Sequence, residues 1–247
     1  MADQTQGVPA TKLAGLERFA GEVFANSQGK YTLDDYNYFD DTSLFSSAAF
    51  TVAANGLAVQ DFSIFQTPYG QRGQGYPAPL NLTLADTNLQ KGQANGKFPS
   101  NQSYVGVAGG FSIYCIPMGV DGVTLQSTGG IPIPDASDAW QIAQSITWTW
   151  NVGGNQSPTL NYEPILAWPS GFGIFGIGAA GSTQAVSNGG PVSQMRKFAF
   201  PLMFPPEVSA DLNLAVRKPV SNLVSLNNGS LVIVAMHQRG YMLSKVR

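Results

Sequence analysis

The chain has 247 residues, a formal net charge of −2 and only 11% charged side chains, where a soluble monomer carries about a quarter. Hydrophobic residues at 43% exclude a disordered chain, and the near-neutral balance argues against steering toward a polyanion. A lone cysteine, Cys115, excludes an intrachain disulfide.

Residues 11–25 carry helical spacing, with Leu13, Leu16, Phe19, Ala20, Val23 and Phe24 on one side. Thr11 stands where it can cap the start, with Pro9 just upstream. Residues 26–44 mix Tyr31, Tyr36, Tyr38 and Phe39 with Asp34, Asp35, Asp40 and Asp41, and read as an extended arm. The expected organisation is therefore an N-terminal helix and arm over 1–44 and a β-domain over 45–247. The first residues lack a basic stretch followed by an apolar one, so no secretory signal is expected. The N-x-S/T sites at Asn81, Asn101, Asn155 and Asn228 then read as chance.

After Phe45 the apolar period becomes two. Strands are predicted over 49–53 and 58–65, joined by a hairpin turn at Asn55-Gly56. Residues 66–102 are irregular and rich in Gly, Pro, Gln and Asn, the length of an interfacial or functional segment. With few apolar residues and little periodicity, segments 1–44 and 66–102 are expected to take their order from neighbouring subunits. A long strand is predicted over 103–118, with Gly109-Gly110 marking a bulge or bend.

A short helix over 136–144, capped by Asp135, precedes a strand over 145–152 that alternates Ile146, Trp148, Trp150 and Val152 against Ser145, Thr147, Thr149 and Asn151. Further strands are predicted over 159–168 and 174–177, then a mobile loop over 178–190. Residues 196–204 alternate again through Phe198, Phe200, Leu202 and Phe204, and 211–216 place Leu212, Leu214 and Val216 on one face. The apolar run 231–236 reads as a strand buried on both faces, and 241–246 as a final strand. The natural architecture is all-β, two antiparallel sheets packed in one domain with long loops. Its predicted core holds Ile146, Trp148, Trp150, Val152, Phe198, Phe200, Leu202, Leu212, Leu214, Leu231 and Ile233.

Candidates for chemistry are few. One histidine, His237, and one cysteine do not make a zinc site. Asp34, Asp35, Asp40 and Asp41, or Asp135 and Asp138, offer calcium oxygens without helix-loop-helix calcium spacing, and read as solvated acidic loops. His237, placed at the end of the apolar strand, is the sole imidazole base, and no G-x-S-x-G elbow accompanies it. Glu163 is the one strand glutamate with aromatic neighbours, without a second carboxylate to match it as a glycosidase pair. Gly106, Gly109 and Gly110 do not open a helix, so they form no dinucleotide loop. Cys115, inside the apolar run 111–118, reads as a buried hydrophobe. No residue is assigned a catalytic, cofactor-binding or metal-ligating role.

The charge that exists is uneven. Residues 98–195 contain neither lysine nor arginine and only four acids, Asp121, Asp135, Asp138 and Glu163. Residues 1–195 hold six cations against thirteen acids, and residues 196–247 seven cations against two acids. A surface so poor in charge is weakly protected against self-association, which suits a chain covered by copies of itself.

One order of segments resembles a known family. A helix and arm precede Phe62-Ser63-Ile64-Phe65-Gln66-Thr67-Pro68-Tyr69-Gly70-Gln71. Then come a loop with Leu84-Ala85-Asp86-Thr87-Asn88-Leu89, the long strand from Ser103, Arg196-Lys197-Phe198-Ala199-Phe200-Pro201-Leu202, and Pro205-Pro206. Over roughly residues 45–240 this resembles the jelly-roll capsid proteins of small tailless icosahedral bacteriophages. The resemblance implies a single eight-stranded jelly-roll β-sandwich that self-assembles through trimers or higher capsomers into a shell, with other virion proteins as further partners. It implies no catalysis, no cofactor and no specific small molecule. Viruses of that kind often enclose a membrane around the genome, which suits a shell protein without a basic arm. The alternative is a β-sandwich binding module, such as a spike, an adhesin or a carbohydrate-binding domain, stacking sugars on Trp140, Trp148, Trp150, Trp168 and the tyrosines.

Overall fold

The computed structural model describes residues 38–54, 56–116, 136–153, 155–156, 163–168, 176–177, 185–186 and 195–244. The helix predicted over 11–25 and the first part of the arm lie outside them. Eleven strands are described: β1 (Tyr38–Thr51), β2 (Asp61–Ile64), β3 (Gln102–Ile116), β4 (Ile146–Val152), β5 (Asn155–Gln156), β6 (Glu163–Pro164), β7 (Gly176–Ile177), β8 (Ala185–Val186), β9 (Arg196–Phe204), β10 (Ala210–Val216) and β11 (Leu231–Ser244). One helix, α1 (Ala136–Ser145), leads into β4, and 3₁₀ turns occupy Lys91–Gly96 and Ile165–Ala167.

The fold is all-β, a sandwich of two antiparallel sheets. One has the order β1-β11-β3-β9; the other has β2-β10-β4-β5, with β6 also on β4. A separate ribbon pairs β7 with β8. The alternating strands bury one face of each sheet against the other. Phe50 of β1 meets Phe62 of β2 at 5.1 Å between ring centroids, Phe111 of β3 meets Trp148 of β4 at 5.7 Å, and Phe204 of β9 meets Trp150 of β4 at 4.8 Å. Ile146, Trp148, Trp150, Phe198, Leu202, Leu212 and Leu214 are buried in this core, with Val152 packed at its margin.

Several expectations change. Residues 38–44, placed in the arm, are strand, because they pair with residues 238–244 of β11. The Asn55-Gly56 turn does not make a hairpin of its neighbours. Ala53 and Gly56 exchange backbone bonds of 2.9 and 3.0 Å, but β1 then pairs with β11 and β2 with β10, so the turn carries the chain between sheets. Within the strand predicted over 159–168, Ile165–Ala167 is a 3₁₀ turn, and within the loop predicted over 178–190, Ala185–Val186 pairs with β7. The bulge in β3 falls at Val107, where the register jumps from Gly106 to Ala108, rather than at Gly109-Gly110. The two strands expected over 231–236 and 241–246 are one continuous β11, which puts His237 in mid-strand opposite Phe45 and Gly110.

Leu231 and Ile233 also leave the predicted core. Val232, Val234 and Met236 face the inter-sheet core instead, while Leu231 and Ile233 join Ala49, Tyr76 and Leu82 in a second cluster on the outer face of the β1-β11-β3 sheet. A strand buried on both faces carries no alternation from which to choose the inner one.

That second cluster exists because residues 68–90 lie across the sheet as a strap. The expectation that segment 66–102 is ordered by neighbouring subunits is corrected here: Leu89 and Phe98 enter the main core, and Tyr76 and Leu82 the second cluster. Hydrogen bonds set its course. Gln74 C=O accepts from Ala49 N–H at 3.1 Å, and the Asn88 side chain accepts from Phe45 N–H at 2.9 Å and donates to Ser43 C=O at 2.7 Å. These bonds satisfy backbone groups along β1 that an open edge would leave to another chain. Gly75, at a φ of 76°, presses on β1 so closely that a Cβ would sit 1.8 Å from Ala49 O. Only glycine fits both requirements.

Candidate functional site

Each polar residue that the sequence offers for chemistry has a defined place. His237 projects from mid-β11 beside β1 and β3. Its Nε2 lies 3.0 Å from Ser112 Oγ, and its ring stacks on Phe45 with centroids 5.6 Å apart. Burial disfavours the imidazolium and pulls the pKa down to about 4. The neutral ring fills sheet surface between aromatic and hydroxyl neighbours. The unfolded chain takes up this proton near pH 6.5 and the folded chain does not until about 4, so this contribution to stability is complete above pH 6.5 and is lost as pH falls toward 4. Urea titrations of wild type and His237→Gln at pH 7 and pH 4 check this. The wild type should lose roughly 2–3 kcal/mol more than the variant across that interval.

Glu163 of β6 accepts from Trp168 Nε1 at 2.5 Å and from Arg196 of β9 at 2.9 and 3.5 Å. The Arg196 guanidinium lies 4.2 Å from the Trp168 ring centroid, a cation–π contact. The carboxylate thus holds Trp168 and Arg196 together, tying the start of β9 to β6. The pair is partly exposed, so its energetic contribution is small. Cys115 is buried in the inter-sheet core, and burial pushes its thiol up to about 12, with a smaller push from Asp138.

Two aspartates that sequence reading left as loop charges or passed over are anchors. Asp86, in the strap, is buried and accepts four hydrogen bonds: Tyr114 OH at 2.5 Å, Tyr76 OH at 3.3 Å, Thr83 N–H at 2.9 Å and Thr83 Oγ1 at 2.6 Å. Tyr76 also shares a 2.9 Å hydrogen bond with Ser47. Burial raises both phenol pKa values, so both hydroxyls stay protonated as donors. The sequence signal available was Thr83-x-x-Asp86, a side chain reaching back to a nearby backbone N–H.

Asp138 is fully buried on α1, which corrects its reading as part of a solvated loop or calcium site. It accepts from Val224 N–H at 3.0 Å, Ser225 N–H at 2.7 Å and Ser225 Oγ at 2.5 Å. Of the other acids weighed for calcium, Asp40 and Asp41 are successive residues of β1. Asp34, Asp35 and Asp135 lie outside the described residues. No group of three or more His, Cys, Asp or Glu side chains stands placed to hold a metal ion among the described residues.

The Asp138 contact belongs to a larger arrangement. The β1→β2 connection, α1 and the β10→β11 connection meet at one end of the sandwich. Leu57 and Val220 exchange two backbone bonds of 3.0 Å, Arg217 N–H reaches Ser145 C=O at 3.0 Å, and Gly229 N–H reaches Val52 C=O at 2.8 Å. This end is built from three separate connections held together by these hydrogen bonds, and it is the candidate site. No family model, curated protein or solved structure matches the chain.

Proposed function

We propose that this chain is a structural shell protein: a single jelly roll that assembles with copies of itself into an icosahedral capsid and performs no catalysis. The observation that carries the reading is the strand order, β1-β11-β3-β9 facing β2-β10-β4-β5. Each of the links β1→β2, β2→β3, β3→β4, β9→β10 and β10→β11 crosses from one sheet to the other. That interleaving supports reading the sandwich as the eight-stranded double Greek key, a fold shared by viral shells, lectins and cupins. Fold alone does not select among these. The charge-poor surface favours self-association, and the two residues that a catalytic reading would recruit, His237 and Glu163, are engaged with neighbouring side chains. On this reading the protein assembles in the host cytoplasm and resides in the virion, beside other virion proteins.

The carbohydrate-binding alternative loses three of its four tryptophans, since Trp148, Trp150 and Trp168 are buried, and keeps Trp140 and Tyr69 as exposed rings. Light scattering with negative-stain imaging of the purified protein tests the proposal. Shells, capsomers or trimers are expected, and a strict monomer at high concentration overturns it. His237→Ala and Glu163→Gln should assemble as wild type, apart from lost stability. A hydrolase or transferase activity that disappears with either substitution would replace the structural reading with an enzymatic one.

A further inference from the structure

We propose that the edge of β1 over residues 43–51 is a self-association surface held shut by the strap: when the strap lifts, this edge pairs antiparallel with the same edge of another copy. The edge itself carries the first part of the case. Residues 43–51, Ser-Leu-Phe-Ser-Ser-Ala-Ala-Phe-Thr, contain no charge and no proline, and their register with β11 runs without a shift. Exposed edges are blunted by charges, prolines, bulges or a covering loop. β9, at the other end of the same sheet, carries Arg196, Lys197 and Pro201, and its register with β3 is broken. β1 has only the covering loop.

That cover imitates a strand without being one. Along an edge, backbone groups of alternate residues face outward, and the strap meets them piecemeal at Ser43, Phe45 and Ala49. The Asn88 side-chain amide accepts from Phe45 N–H at 2.9 Å and donates to Ser43 C=O at 2.7 Å, standing in for a neighbouring peptide. Asn88 N–H and Thr87 Oγ1 both reach Phe45 C=O at 3.2 Å, and Gln74 C=O accepts from Ala49 N–H at 3.1 Å. No residue over 68–90 belongs to a strand.

The cover is also built to lift as one piece. Gly70 N–H donates to Leu82 C=O at 2.7 Å and Leu82 N–H to Gln71 C=O at 2.8 Å, so the loop is closed on itself. It sinks Tyr76 and Leu82 onto Ala49, Leu231 and Ile233, and Asp86 fastens it through Tyr114. Leu89, sunk in the main core, marks where the lifting part ends. A segment with so few buried apolar side chains opens at less than the free energy of global unfolding. The freed edge brings no like charges together over residues 43–51 when two copies meet about a two-fold axis. Strand pairing then replaces the bonds that the strap gave up.

The test compares full-length wild type, Asp86→Ala, and Asp86→Ala with Ser43→Glu, with circular dichroism confirming the fold of each. Ser43 is exposed and stands opposite Arg239, so a glutamate there suits the fold while placing a charge on the edge. In dilute Asp86→Ala, the Phe45 and Ala49 amides should exchange rapidly while those of β4 stay protected. By light scattering this variant should associate at a concentration at least about tenfold below wild type, and both amides should regain protection in the associated form. Adding Ser43→Glu should raise that concentration by about tenfold without restoring protection in the dilute subunit. Should Asp86→Ala misfold, Tyr76→Ala lifts the strap from its apolar side and takes its place. An open variant that associates no more readily than wild type, or associates with Phe45 and Ala49 still exchanging, overturns the proposal. So does a failure of both variants to free the two amides, since the strap is then no separable cover. A monomeric wild type would overturn the capsid reading and leave this comparison intact.

Discussion

Trp148→Ala is expected to lower the free energy of unfolding by about 3–5 kcal/mol. The ring is fully buried where the two sheets meet. It stands edge-on to Trp168 at 4.9 Å and packs against Phe111 of β3 at 5.7 Å and Phe198 of β9 at 6.4 Å. Removing it opens a cavity lined by both sheets, and aromatic walls on a strand framework collapse only partly into such a space. Chemical denaturation measures the loss. A companion substitution separates packing from polarity, since Trp148 Nε1 has no acceptor among the described residues. Trp148→Phe gives up volume but also removes an unpaired buried N–H, and should lose less than about 1.5 kcal/mol. A Phe variant as unstable as the Ala variant would show that the indole N–H has a partner after all.

Asp86→Ala is expected to cost at least about 3 kcal/mol and to act locally. The carboxylate is the common acceptor for two tyrosines, one threonine hydroxyl and one backbone N–H. Its removal strands donors beneath the strap, and hydrogen bonds to a charged acceptor are stronger than neutral ones. Asp86→Asn keeps the shape but turns one acceptor into a donor, so it must fail either the tyrosines or Thr83. Hydrogen exchange gives the signature. The amides of Phe45, Ala49 and Leu82, bonded across the strap or within it, should lose protection while those of β4 and β10 keep theirs. A uniform loss across both sheets would mean that the strap and the sandwich unfold as one unit.

The sheet that was easiest to read from sequence is the one with a clean inner face. β10 and β4 alternate because Leu212, Leu214, Trp148 and Trp150 point into the core. The opposite sheet hid itself for definite reasons. β11 is apolar on both faces through Met236 and then turns polar over His237–Gly240 while still paired, so its apolar run stops eight residues before its pairing does. β1 begins with Tyr38, Asp40 and Asp41, residues that look like an arm until fourteen partners on β11 are assigned. The strap has almost no periodicity because its order comes from Asp86, Asn88 and Gln74, single side chains and carbonyls bonding specific backbone groups. The candidate site was equally hidden. Asp138 looked like loop charge, and its partners, Val224 and Ser225, lie more than eighty residues away.

The lone thiol has a practical consequence. Cys115 is walled in between the sheets, and its weak acidity leaves almost no thiolate at neutral pH. A maleimide or disulfide reagent can therefore reach it only in molecules where β3 has come away from its neighbours. With a single sulfur in the chain, every labelling event is one opening of this core, so the labelling rate is a clock on the sandwich. Run on free subunits and on assembled particles, the same clock separates a partner that merely touches the surface from one that holds the sheets shut.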